Sequence, residues 1–170
     1  MKILQLCCVS NLWPSEYQVT SIDIKTGGDV LSLPPDYGKK YDLIASAPPC
    51  DQFSKANNHN WQAYPAQFVK IAEACFNISI NSGKPWFLEN PPGRIETFLP
   101  ALKQYRLMTW HGTQTNKEYV IYGNFLIMSN KVKRYGKPGT INNYTKERRE
   151  LWQPDFIADI NRSVCLLPQL

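Results

Sequence analysis

Histidine occurs only twice in the 170 residues, at positions 59 and 111, and glycine only 9 times. Two histidines at that separation match no ligand spacing, so no metal site is expected. The five cysteines, at 7, 8, 50, 75 and 165, contain no Cys-x-x-Cys pair. Their odd number suits neither a disulfide framework nor a zinc knuckle, and a reduced, cytosolic protein is the expectation. No apolar run approaches the roughly 20 residues that span a bilayer. Met1-Lys2 leads into an apolar stretch that stops short at Ser10, too brief for a secretory signal. Repeats and linker-like stretches are missing too, so residues 1–170 read as a single domain. Charge is sparse, 19% of residues, while aromatics reach 12%. That balance argues for a packed core rather than disorder.

The charge that is present is uneven. Residues 1–93 carry seven Lys/Arg against eight Asp/Glu, and residues 94–170 carry twelve against six. A basic C-terminal half suits a polyanionic partner such as nucleic acid.

Alternating apolar runs and one strong helical pattern indicate an α/β sheet covered on both faces. Strands are expected over 2–8, 17–24, 41–47, 85–89, 106–110 and 118–125. Phe68, Ile71, Ala72, Cys75, Phe76 and Ser79 recur at helical spacing between Pro65 and Gly83, which predicts a helix over 64–82. A final helix is expected over 149–161, interrupted by Pro154, with a turn-rich basic loop over 130–150.

Two strand ends carry reactive groups. In Ser46-Ala47-Pro48-Pro49-Cys50-Asp51-Gln52-Phe53-Ser54, the prolines stop the strand, since they lack the N–H a central strand needs. They set a rigid platform for a cysteine, the best soft nucleophile among side chains. In Phe87-Leu88-Glu89-Asn90-Pro91-Pro92-Gly93-Arg94, a carboxylate ends another strand ahead of a rigid turn and an arginine. Each segment alone reads first as a plain strand exit, with Cys50 a small buried hydrophobe. Parallel sheets bind ligands beyond the C-terminal ends of their strands, and both segments leave there.

Taken together, the Pro-Pro-Cys and Glu-Asn segments resemble the DNA cytosine-5 methyltransferase family, most closely its short phage and prophage members. Supporting likenesses are Tyr41–Ala47 before the cysteine, Ser21-Ile22-Asp23-Ile24 followed by Gly28-Asp29-Val30, His111-Gly112-Thr113 through Tyr122–Phe125, and Ile160–Val164. The resemblance implies a Rossmann-like class I methyltransferase sheet, mostly parallel with an antiparallel late strand and reduced helices on one side. It implies Cys50 as nucleophile, Glu89 as acid, and Arg149, or Arg148 beside it, near the base. The cofactor would be S-adenosylmethionine, met by Cys8, Asp23, Asp29 and Pro48. The base or its nucleic acid would be met by Pro49, Phe53, Ser54, Asn90, Arg94 and Arg148. The partner would be DNA or a cytosine nucleotide, in the cytoplasm of a bacterial or phage-infected cell, with a partner subunit or a second copy as a further option. The stretch 52–61 would close over the base, with Trp61 placed to stack on it.

The sequence departs from that family in two places. Cys7–Pro14 contains no glycine where family members carry a glycine-rich cofactor loop, and about eight residues, 9–16, join the first two strands. Parallel crossovers ordinarily take roughly a dozen residues or more, so the first helix is stunted or the strands connect differently. Only residues 131–146 stand where a target-recognition region would be, so strong sequence specificity is not expected. A second reading is therefore a relative that binds nucleic acid or a partner protein without cofactor. A third is an amino-methyltransferase, since Asn90-Pro91-Pro92 echoes its motif, although Gly93 stands where that class has an aromatic ring.

The basic half predicts DNA affinity that falls with salt, by about 10-fold or more on moving from about 50 to 200 mM. A salt titration of a labelled oligonucleotide checks this, and salt-insensitive binding or none removes the nucleic-acid expectation.

Overall fold

A computed structural model describes residues 1–8, 12–111, 118–127 and 154–166. Among them the order is β1 (Lys2–Leu6), β2 (Gln18–Ile22), β3 (Leu43–Ser46), α1 (Ala66–Asn81), β4 (Trp86–Asn90), a one-turn α2 (Ile95–Phe98), β5 (Arg106–His111), β6 (Glu118–Gly123) and α3 (Pro154–Cys165). The strands form one mixed sheet ordered β2-β1-β3-β4-β6-β5. The first four are mutually parallel, and β6 runs antiparallel to both β4 and β5. The protein is thus α/β with a mostly parallel sheet, as its alternating pattern predicts.

The central strands are continuous apolar runs because both of their faces are covered. Leu4, Leu6, Ile44, Trp86 and Leu88 turn to α1, where Val69, Ala72, Cys75, Phe76 and Ile78 meet them. Ile3, Leu43, Ala45 and Phe87 turn to the opposite face, where Phe156, Ile157 and Ile160 of α3 pack. Burial of each such side chain contributes about 1.5–3 kcal/mol. Gly38 lies against α1 because a Cβ there would sit 2.9 Å from Ser82 and 3.1 Å from the Ile78 carbonyl.

The short connection over residues 7–17 nevertheless joins parallel strands, with Lys2 opposite Gln18 and Leu6 opposite Ile22. No helix is present among the described residues of that link. The stretch before β3 winds into tight turns at Val30–Ser32 and Tyr37–Lys40. Pro154 begins α3 rather than interrupting it, as its fixed φ and missing N–H suit a first turn. Residues 149–153 and the basic stretch 131–146 lie outside the described residues.

Asp159 of α3 is buried, accepting a 2.8 Å hydrogen bond from the Trp110 indole N–H and pairing with the half-exposed Arg162. The indole ring is enclosed by Tyr119 at 5.5 Å and Phe156 at 5.2 Å between centroids. Replacing Asp159→Ala strands that N–H in the core, so urea unfolding should show a loss of about 1–3 kcal/mol. Asp159→Asn, which keeps an acceptor, should lose less.

Candidate functional site

The connections reverse direction at β1, which has β2 on one side and β3 on the other. Ligands of parallel sheets bind at such a reversal, beyond the C-terminal strand ends. Cys7 and Cys8 leave β1 there, Asp23 leaves β2, Pro48-Pro49-Cys50 leave β3 and Glu89-Asn90 end β4. Because β6 is antiparallel to β4, its first residues Glu118 and Tyr119 arrive at the same edge.

The two motif segments are fastened together directly. The buried Asn90 donates from Nδ2 to the Pro48 carbonyl at 3.1 Å. Beyond it, Ser54 and Gly93 form an antiparallel bridge. Lys55 N donates to Pro92 O and Arg94 N to Phe53 O, each at 2.9 Å. Gly93 is required by this approach, because a Cβ on it would stand 1.6 Å from the Phe53 carbonyl oxygen.

Cys50 is half-buried and its carbonyl accepts from both Phe53 N and Ser54 N at 2.8 Å, a tight turn that swings the following residues inward. Glu89 is 5% exposed. Along β4 it alternates with Leu88 and so shares a face with Phe87 and, on β6, with Tyr119 and Ile121. The fully buried Tyr119 reports the convergence. Its hydroxyl is pushed well above its ordinary pKa by burial, then by the charges of Glu89, Asp155 and Cys50. The Cys8 thiol is likewise pushed up by burial, then by Cys7, Glu89 and Asp23. Glu89 therefore lies within electrostatic reach of Cys8 and of a tyrosine that also feels Cys50.

The remaining expected site residues divide sharply. Pro48 is buried and Pro49 half-buried, bracing the turn. Asp23 and Asp29 each cap the turn after them, accepting from Lys25 N at 2.8 Å and Leu31 N at 2.9 Å. Asp23 stays near Cys8, while Asp29 is exposed on the chain leading away. Three expected substrate contacts have partners within the protein. Phe53 is sealed in the core against Phe68 and Phe98, at 6.4 and 6.1 Å. The buried Ser54 hydroxyl accepts from Ala56 N at 3.2 Å, capping the turn at Lys55–Asn60. Arg94 donates to the Gln52 and Gln62 carbonyls and lies over Trp61 at 4.6 Å and Phe98 at 5.1 Å, so its guanidinium clamps the loop. Trp61 in turn donates to the Ser54 carbonyl at 3.1 Å, and the stretch expected to close over a base is anchored at both ends. Arg148 and Arg149 lie outside the described residues.

Tyr119 and Asp155 were not legible as site residues. Glu118–Gly123 reads as a core strand, and Pro154-Asp155 as a helix start. The sequence matches no known protein family and no curated protein.

Gly93→Ala forces the two arms apart and breaks the Lys55–Pro92 and Arg94–Phe53 backbone bonds. A stability loss of about 2 kcal/mol is expected in denaturant unfolding, at about 1 kcal/mol net for each bond.

Proposed function

We propose that the protein is a cytosine-5 methyltransferase of Rossmann-like class I type, using Cys50 as nucleophile and Glu89 as acid. One observation carries the reading. The strand end that carries the double proline and Cys50 is tied to the strand end that carries Glu89, by the Asn90–Pro48 hydrogen bond and the Ser54–Gly93 bridge, at the ligand-binding edge of the sheet. The strand order, with its parallel core and antiparallel β6, supports it.

Carbon-5 of cytosine is a poor nucleophile until the ring is activated. The Cys50 thiolate adds to carbon-6 while Glu89 delivers a proton to ring nitrogen 3, so the electrons pushed in by sulfur reach carbon-5 without charging the ring. S-adenosylmethionine, when bound, supplies the methyl group that carbon-5 takes. Removal of the carbon-5 proton then breaks the carbon–sulfur bond, returns the thiolate and restores the Glu89 proton. Burial of Glu89 strengthens its hydrogen bond to the ring, because water does not compete there. Asn90, tied to Pro48, holds the acid's strand end against the nucleophile's.

The residues at the β1 and β2 ends suit that cofactor in part. A carboxylate at the end of the second strand is where a ribose hydroxyl is met in such sheets, and Asp23 stands there. Its carboxylate places a negative charge on this edge, where a sulfonium cation would be favoured. Asp29, exposed and turned to its own loop, is an adenine-side contact at most. No glycine is present in the turn after β1, but Cys7 takes the left-handed conformation (φ 57°) that a glycine would ordinarily supply. Position 93 has no room for any side chain, which weighs against the amino-methyltransferase reading and its aromatic ring.

DNA containing 5-fluorocytosine, which lacks the removable proton, should form a denaturation-resistant adduct with the wild-type protein and cofactor. Cys50→Ala should abolish the adduct. Glu89→Gln should slow its formation by about 10²-fold or more, the usual worth of a positioned acid. Folded protein that binds cofactor by calorimetry yet forms no adduct would sink the catalytic proposal. Nucleic-acid binding with no cofactor heat would favour the binding-module reading.

A further inference from the structure

Three sulfurs gather at the end of β1, and methyl transfer uses none of them as a nucleophile. Neighbouring residues Cys7 and Cys8 pack on opposite faces of the sheet, Cys7 with the α1 cluster and Cys8 with the α3 cluster. Cys7 lies 3.6 Å, sulfur to sulfur, from Cys75. Cys75 is fully buried in the middle of α1, whereas Cys7 is half-buried. Among the described residues, Cys7 is the one non-glycine residue with a positive φ. That conformation costs of order 1–3 kcal/mol and persists where the surroundings enforce it, frequently at functional positions. Here it accompanies the turn that sets this sulfur against α1, while Cys7 N still donates to Ile22 O at 2.9 Å.

We propose that Cys7 and Cys75 form an oxidation site, a thiol pair that a hydroperoxide converts to a disulfide joining the end of β1 to α1. The Cys7 thiolate attacks one peroxide oxygen and the O–O bond breaks, leaving a sulfenic acid on Cys7 and releasing water or an alcohol. Cys75 then attacks the Cys7 sulfur. The S–S bond forms and the hydroxyl leaves with the Cys75 proton as water, so two thiols are oxidised and one peroxide reduced. The sulfurs have to close from 3.6 Å to about 2.05 Å. The order of events follows from the surroundings. Cys7 is half-buried and Cys75 fully buried, so a peroxide meets Cys7 first and Cys75 is left as the resolving thiol. The bond would pin the strand exit that leads into Cys8, beside Asp23 and Glu89. The inference rests on the thiol geometry and holds or fails independently of the methyl-transfer reading.

The full chain, freed of reductant, is treated with a small excess of hydrogen peroxide. Its remaining thiols are blocked with N-ethylmaleimide and the digest is read by mass spectrometry. The expected principal product is a peptide pair linked through Cys7 and Cys75, two hydrogens lighter than its parts and released by dithiothreitol. Cys8→Ser should keep the link and Cys7→Ser should lose it. A Cys7–Cys8 bridge, sulfinic acid at Cys7 with Cys75 still a free thiol, or a link that survives Cys7→Ser would overturn the proposal. Should a variant fail to fold, fragment ions of the wild-type pair assign the linked cysteine directly.

Discussion

The Phe53 carbonyl occupies the space where a side chain at position 93 would be. That contact holds the site together, because the two segments it joins come from different strands and carry the two reactive groups. Four further bonds reinforce it, from Asn90 to Pro48, from Lys55 to Pro92, and from Arg94 through both its backbone N–H and its guanidinium. Each is worth only about 1 kcal/mol net, yet they act on adjacent residues and are made or lost together. The double prolines contribute by subtraction. Each ends a strand that would otherwise extend, and each removes a donor that would otherwise compete for those carbonyls.

The same edge gathers acidic groups. Glu89, Asp23, Asp155, the thiols of Cys8 and Cys50 and the Tyr119 phenol are linked through one another's charge. Glu89 and Tyr119 are the buried members, and a buried polar group is costly unless it is hydrogen-bonded. Tyr119 and Cys8, both driven toward their protonated forms, remain hydrogen-bond donors through the neutral range. The Trp110–Tyr119–Phe156 ring cluster, with centroids 5.2–5.5 Å apart, is the apolar wall behind this edge.

Residue by residue, adjacency in sequence was a poor guide to side-chain partners. Phe53, Ser54 and Arg94 lie close to Cys50 and Glu89 along the chain, which suggested substrate contacts. The tight turn at Cys50 instead rotates Phe53 into the core, and the loop beyond draws Arg94 into its own carbonyls. Tyr119 and Cys75 carried no local signal, since one sits in an apolar strand and the other on the buried stripe of a helix.

Local pattern alone determined the strands, the long helix, their prolines and the α/β class, because periodicity and backbone chemistry act within a few residues. It also marked Cys50 and Glu89 as strand-end groups. Only the tertiary structure decided the strand order, the joining of the Cys50 and Glu89 segments through Asn90 and Gly93, and the meeting of Cys7 with Cys75. Those depend on pairing register and side-chain volume between segments tens of residues apart, and no short stretch of sequence encodes such contacts.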